Sequence, residues 1–155
     1  MCNKGEIKIK KRRERRTIAT RFTCSAKEIP QYLEKAYGDV FAVMKEQKLF
    51  PLGPPFCLYY NDDMNALDME AGIPVLGRPG EKGSVGGSFL PGGRYAVARH
   101  KGPYDRIEES YASLLEEVKA RGLTPGGICF ESYLNDPGKK KPEELKTDIW
   151  FLLAE

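Results

Sequence analysis

The chain has little of what most often carries metal or redox chemistry: one histidine, His100, and four cysteines, Cys2, Cys24, Cys57 and Cys129, with no C-x-x-C pair among them. Such spacing excludes a disulfide framework and a zinc knuckle. The lone imidazole excludes a histidine-rich metal site, so neither metal nor cofactor is expected, and the thiols read as reduced. Long apolar runs are also missing. The longest, Ile149 to Ala154, has six residues, against the roughly 20 needed to cross a bilayer. No apolar stretch follows the basic N-terminus as a secretory leader would require. The expectation is a cytoplasmic protein without a membrane partner.

What is present suits one domain of 1–155. Hydrophobic residues make up 41% and charged ones 30% of 155 residues, enough for a packed core and too apolar for a disordered chain. The net charge of +3 conceals an asymmetry, since residues 1–27 carry ten basic side chains against Glu6 and Glu14, and the remainder is acidic. The run Lys8, Lys10, Lys11, Arg12, Arg13, Arg15, Arg16 could hold phosphates by counterion release. Ile7 and Ile9 alternate with its lysines, however, and Thr17-Ile18-Ala19-Thr20 continues as a strand. The preferred reading is the wet face of a hairpin or sheet edge, where cations also block strand-to-strand aggregation.

Sliding the sequence against itself by 74 positions aligns 37–62 with 111–136, and nine of 26 pairs are identical, among them Tyr37/Tyr111, Pro51/Pro125, Phe56/Phe130, Tyr59/Tyr133 and Asn61/Asn135. At a shift of 78 the flanks match as well, with Arg21 on Arg99 and Glu70 on Asp148. Two long copies indicate a duplicated module rather than a solenoid, with repeat 1 at about 7–80 and repeat 2 at about 84–155.

Each copy reads as strand, helix, strand, strand. In the first, a strand near 17–22 precedes a helix at about 26–47 with Ile29, Leu33, Tyr37, Val40, Phe41 and Met44 inward, then strands near 56–61 and 69–76. In the second, strand 95–101 leads through Gly102-Pro103 to a helix with Ile107, Tyr111, Leu114, Leu115 and Val118 at helical spacing. Pro125-Gly126-Gly127 reads as a turn, followed by strands 129–134 and 147–153. The fold class is α+β: two modules related by a pseudo-twofold axis form a curved antiparallel sheet, with two helices on one face and a ligand cleft on the other.

Side chains alternate along a strand. If Phe130 packs under the helix, Glu131 and Tyr133 face the open groove, and with Ile149 and Phe151 turned to the helix, Trp150 joins them. By the repeat, Trp150 is matched by Gly72, read as open space. A carboxylate ringed by Trp150, Tyr133, Tyr59 and Tyr95 or Tyr104 suits a flat cationic ligand. It also suits general acid-base work by Glu131. The plainer alternative makes Glu131 an exposed strand residue and Trp150 core filler.

The segments Gly102-Pro103-Tyr104, Gly122 to Gly127, Phe130 to Pro137 and Pro142 to Trp150, with Gly53 to Phe56 and Asp68 to Val75 in the first copy, resemble the GyrI-like small-molecule-binding domain. This is the effector-binding domain of many bacterial multidrug-responsive transcription regulators. The resemblance covers about 7–153. It implies a cleft between two modules, places the family's buried ligand-contacting acid on Glu131, and puts its last-strand aromatic on Trp150, where tyrosine is more usual. It also implies a stand-alone form, since the roughly 15 residues before the first repeat's strand near 17–22 are too few for a helix-turn-helix domain, and DNA is not expected as a partner. The leading expectation is binding of small hydrophobic, aromatic or cationic molecules at Glu131, Trp150, Tyr133, Tyr59 and Tyr104, linked to regulation or detoxification. Next come hydrolysis of cyclopropane-containing or other electrophilic xenobiotics, with Glu131 catalytic, and inhibition of DNA gyrase through protein contact. Haem would find only His100 as an imidazole ligand and is discounted.

Overall fold

A computed structural model describes residues 7–154, so Cys2 lies outside the described residues. In chain order the elements are β1 (Lys8–Arg12), β2 (Arg15–Cys24), α1 (Ile29–Gln47), β3 (Phe50–Pro51), β4 (Phe56–Tyr59), β5 (Leu67–Leu76), β6 (Val85–Leu90), β7 (Gly93–Lys101), α2 (Ile107–Ala120), β8 (Pro125–Tyr133) and β9 (Lys146–Leu153). The named strand pairings are antiparallel, which with two long helices makes the fold α+β. No helix of the described residues is long and apolar enough to cross a membrane.

The chain divides into two compact units. In the unit built from β1 and residues 93–154 the strand order is β1-β7-β9-β8, and α2 packs Leu114 and Val118 onto Ala96, Ala98, Ile149 and Leu153. In the unit built from residues 13–92 the order is β4-β5-β2-β6, and α1 packs Val40, Val43 and Met44 onto Ile18, Ile73 and Val75. β1 and β6 occupy matching places in the repeat, 78 residues apart, yet β1 lies along β7 and β6 along β2. Each unit therefore takes an edge strand from the segment that the sequence repeat counts with the other copy. Ile7, just ahead of β1, and Ile9 within it join the core beneath α2, which leaves the lysines on the other face.

The repeat recurs in hydrogen bonds. Asn61 donates to Ala66 O and accepts from the Asp68 amide, and Asn135 donates to Glu144 O and accepts from the Lys146 amide. Both hairpin loops are thus tied by one asparagine, as turn chemistry favours. Each helix ends on a left-handed residue, Lys48 at φ 54° and Gly122 at φ 73°, and the next amide reaches back to Met44 O and Val118 O at 3.0 Å.

Two local expectations are corrected. Phe41 is 51% exposed, because the stripe that meets the sheet runs through Ala36, Val40, Val43 and Met44 and leaves Phe41 about 100° to one side of Val40. Pro125 to Gly127 do not form a turn. They already belong to β8, Pro125 pairing with Leu153 before a bulge that ends at Cys129.

Candidate functional site

Register decides which side chains meet. Phe130 pairs with Trp150, and Glu131 pairs with Ile149. Ile149 belongs to the core beneath α2, so Glu131 is on the helix side of the sheet. It does not face away from the helix as expected. Phe130 and Trp150 are on the opposite face, their rings stacked at 5.4 Å and 4°, with Tyr95 edge-on to both. The expectation misassigned Phe130 because both faces of β8 are buried here, and apolar character alone then carries no direction.

Glu131 is buried and held by two phenols. Tyr111, from α2, donates to Oε2 at 2.5 Å, and Tyr133, two residues along β8, donates to Oε1 at 2.8 Å. No salt bridge reaches this carboxylate among the described residues. Burial pushes its pKa up, and the two hydroxyl bonds pull it part of the way back. Tyr104, at the start of the turn into α2, packs edge-on against Tyr133 at 5.8 Å and is 36% exposed. Burial, then the nearby Glu131 and Asp136, raises its pKa as well.

Buried polar groups of β7, α2 and β9 lie in the same unit. His100 Nε2 faces Pro103 O at 2.8 Å, so this nitrogen carries a proton, and Nδ1 meets Ser110 Oγ at 2.6 Å. Thr147 is paired with His100 on one side and Tyr133 on the other. It is fully buried, and its hydroxyl has no hydrogen-bond partner among the described residues.

The structure therefore brings together Glu131, Tyr133 and Tyr104, and adds Tyr111, which the sequence reading counted only as an apolar helix position. The available signal was a tyrosine repeated on the buried face of both helices, whose hydroxyl must find a partner. Tyr59 is on β4 of the other unit, paired with Met69. Trp150 is not part of this group. It is 5% exposed, covered by Arg12 at 4.8 Å and Lys10 at 5.5 Å from its ring centroid, and its indole N–H is unpartnered among the described residues. Gly72 is not open space either, since a Cβ there would fall inside contact distance of Ile18 O and the Ala19 side chain.

A buried carboxylate whose charge is met only by two neutral hydroxyls is poorly compensated, and a cation brought to it would supply what the protein does not. The half-exposed ring of Tyr104 beside Tyr133 offers aromatic faces to the same cation, worth about 0.5–2 kcal/mol each.

Comparison with known proteins gives one family, the GyrI-like small molecule binding domain, matched over residues 5–154. Among solved structures, the EcmrR C-terminal domain superposes with a TM-score of 0.83 at 23% identity, covering 97% of this chain and 98% of that one. EcmrR in its complex with DNA gives 0.86 at 22% identity and 97% coverage of this chain, which spans only 57% of the EcmrR chain. SAV2435 bound to tetraphenylphosphonium gives 0.67 at 14% identity, covering 96% and 94%.

Proposed function

Because the chain belongs to the GyrI-like family of small-molecule-binding domains, we propose that it binds a lipophilic organic cation at Glu131, with Tyr111, Tyr133 and Tyr104 around it. The observation that carries this reading is the buried Glu131 carboxylate, which accepts two phenol hydroxyls and pairs with no cation among the described residues. An incoming cation gains the full attraction of a desolvated carboxylate and relieves the burial cost that raises its pKa. Charge alone would favour any cation. The apolar and aromatic surroundings favour one that sheds water cheaply, which a delocalised or shielded charge does and an ammonium does not. That the SAV2435 structure holds tetraphenylphosphonium makes this compound the first probe.

The Tyr111 and Tyr133 hydroxyls already occupy the carboxylate, so part of the binding energy is spent in moving them. Affinity is accordingly lower than the contacts alone would give. The test is a thermal-shift titration followed by calorimetry with tetraphenylphosphonium. At about 100 times its dissociation constant a ligand stabilises by roughly 2.7 kcal/mol. The wild type and Trp150→Phe are expected to bind alike, and Glu131→Gln to lose at least tenfold. Equal affinity of Glu131→Gln and wild type would sink the assignment.

A further inference from the structure

We propose that the unit of residues 13–92 carries a second ligand site, a recess that takes a small organic ammonium or guanidinium group on Glu70. The recess has a volume of about 230 Å3 and lies on the face of β2, β5 and β6 turned away from α1. Two of the smallest residues floor it, Ala19 and Gly86, which stand opposite each other on β2 and β6. A Cβ at Gly86 would come within 3.1 Å of the Glu81 Cγ, so any larger residue there would crowd the carboxylate arm.

Glu70 lines the recess and is 7% exposed. Its Oε1 accepts both the Tyr60 hydroxyl at 2.7 Å and the Ser88 hydroxyl at 3.1 Å. Oε2 accepts no hydrogen bond among the described residues. Glu81, on the wall, joins no salt bridge among them either, since its neighbour Lys82 is taken by Glu46. The one cation lining the recess is Arg21. Asp68 holds it through two bonds of 2.8 and 2.7 Å, and its guanidinium sits 3.9 Å from the Tyr60 ring centroid. Arg21 stands opposite Glu70 in the strand register and feels its charge, but its hydrogen bonds are spent on Asp68, so neither Glu70 nor Glu81 holds a salt bridge among the described residues. The bond to Glu70 and, above all, burial hold the Tyr60 pKa well above the ordinary phenol range, so Tyr60 stays a donor to Oε1 and leaves Oε2 to the ligand.

Donor geometry and volume select the class. A group with several N–H donors can make a charge-assisted bond to Glu70 Oε2, with Glu81 on the same wall adding negative charge. The volume is below the 300–1,000 Å3 of drug-sized pockets, which suits a head group with a short alkyl tail better than tetraphenylphosphonium. A hard divalent cation would need six or more oxygen ligands, and no group of three or more His, Cys, Asp or Glu side chains able to hold a metal is found among the described residues.

The test is an amide NMR titration of the full chain with methylguanidinium and n-butylammonium, with 1-butanol as the neutral control. Saturable shifts are expected at 83–87 for the two cations only. They should weaken at least tenfold in Glu70→Gln, which keeps an oxygen acceptor for Tyr60 and Ser88, and vanish in Gly86→Val, whose own spectrum verifies the fold. Glu131→Gln should leave them unchanged, so this site and the one at Glu131 stand or fall separately. Shifts untouched by Glu70→Gln, equal shifts with 1-butanol, or saturation of the same amides by Mg2+ or Ca2+ at lower concentration would each overturn the proposal.

Discussion

Tyr37 and Tyr111 hold the same position in the two copies of the repeat, and each donates its hydroxyl at 2.5 Å to the strand beneath its own helix, Tyr37 to the Phe56 carbonyl and Tyr111 to the Glu131 carboxylate. The residue matching Glu131 in the first copy is Cys57, which offers no carboxylate. Duplicated scaffolds thus carry different chemistry on one conserved hydroxyl placement.

The pair supplies its own control. Tyr37→Phe removes a neutral hydrogen bond, expected to cost about 0.5–1.5 kcal/mol whatever the pH. Tyr111→Phe removes a donor that favours ionised Glu131 and should cost about 1.5–3 kcal/mol once that carboxylate is charged. Its cost should shrink in acid as the carboxyl protonates. Urea melts of both variants at pH 4 and pH 8 check this. A Tyr111→Phe cost that is the same at both pH values would show that the hydroxyl does not stabilise the charge.

Glu131 also sets a slope of stability against pH. Its folded pKa is raised, so between the ordinary carboxylate value of about 4.3 and the raised one the native state binds more protons than the unfolded state. Stability therefore falls as pH rises through that window. The contribution is fully present below the unfolded pKa and is lost above the folded one. Glu131→Gln removes the titration, and is expected to flatten the curve and to be more stable than wild type at pH 8 by about 1–3 kcal/mol, the scale of a poorly compensated buried charge. Melting curves from pH 4 to 8 decide it. A wild-type slope retained in the variant would place the titration elsewhere.

Where periodicity was strong, the sequence was a good guide. The alternation of Ile7 and Ile9 with lysines made β1 an edge strand, and the helical spacing of Leu114 and Val118 set the buried face of α2. It gave no direction for β8. Phe130 and Glu131 are both buried, on opposite faces of a strand covered on both sides, and a bulge before Cys129 adds an offset that a count from Pro125 cannot see. Trp150 was grouped with Glu131 for the same reason. Its position beneath Lys10 and Arg12 depends on β1 pairing with β7, a contact across more than 80 residues that the repeat alignment assigns to the other copy.

The helix ends predict a stabilising change. Lys48 adopts the left-handed conformation at φ 54° where the second copy has Gly122. A residue with a Cβ pays about 1–2 kcal/mol there, offset in part by the greater freedom that glycine has in the unfolded chain. Lys48 is on the surface, so little packing is lost. Lys48→Gly is expected to raise stability by about 0.5–1 kcal/mol, or about 2 °C in melting temperature for a chain of this size. A lower melting temperature would mean that the Lys48 side chain contributes more than its backbone strain costs.

Thr147 tests whether the polar group beneath α2 is shaped for folding alone. Its hydroxyl is buried between His100 and Tyr133 with no partner among the described residues, and a buried unsatisfied hydroxyl costs about 1–3 kcal/mol. Valine replaces it with a methyl group of nearly the same size, and both residues favour strands. Thr147→Val is expected to raise stability by about 1 kcal/mol, read from urea unfolding at neutral pH. The same variant titrated with tetraphenylphosphonium separates two roles. Unchanged affinity would make the hydroxyl a leftover of the core. Weaker binding in a more stable protein would mean that the orphaned oxygen is held in reserve for the ligand-bound arrangement, where a displaced Tyr133 hydroxyl could use it.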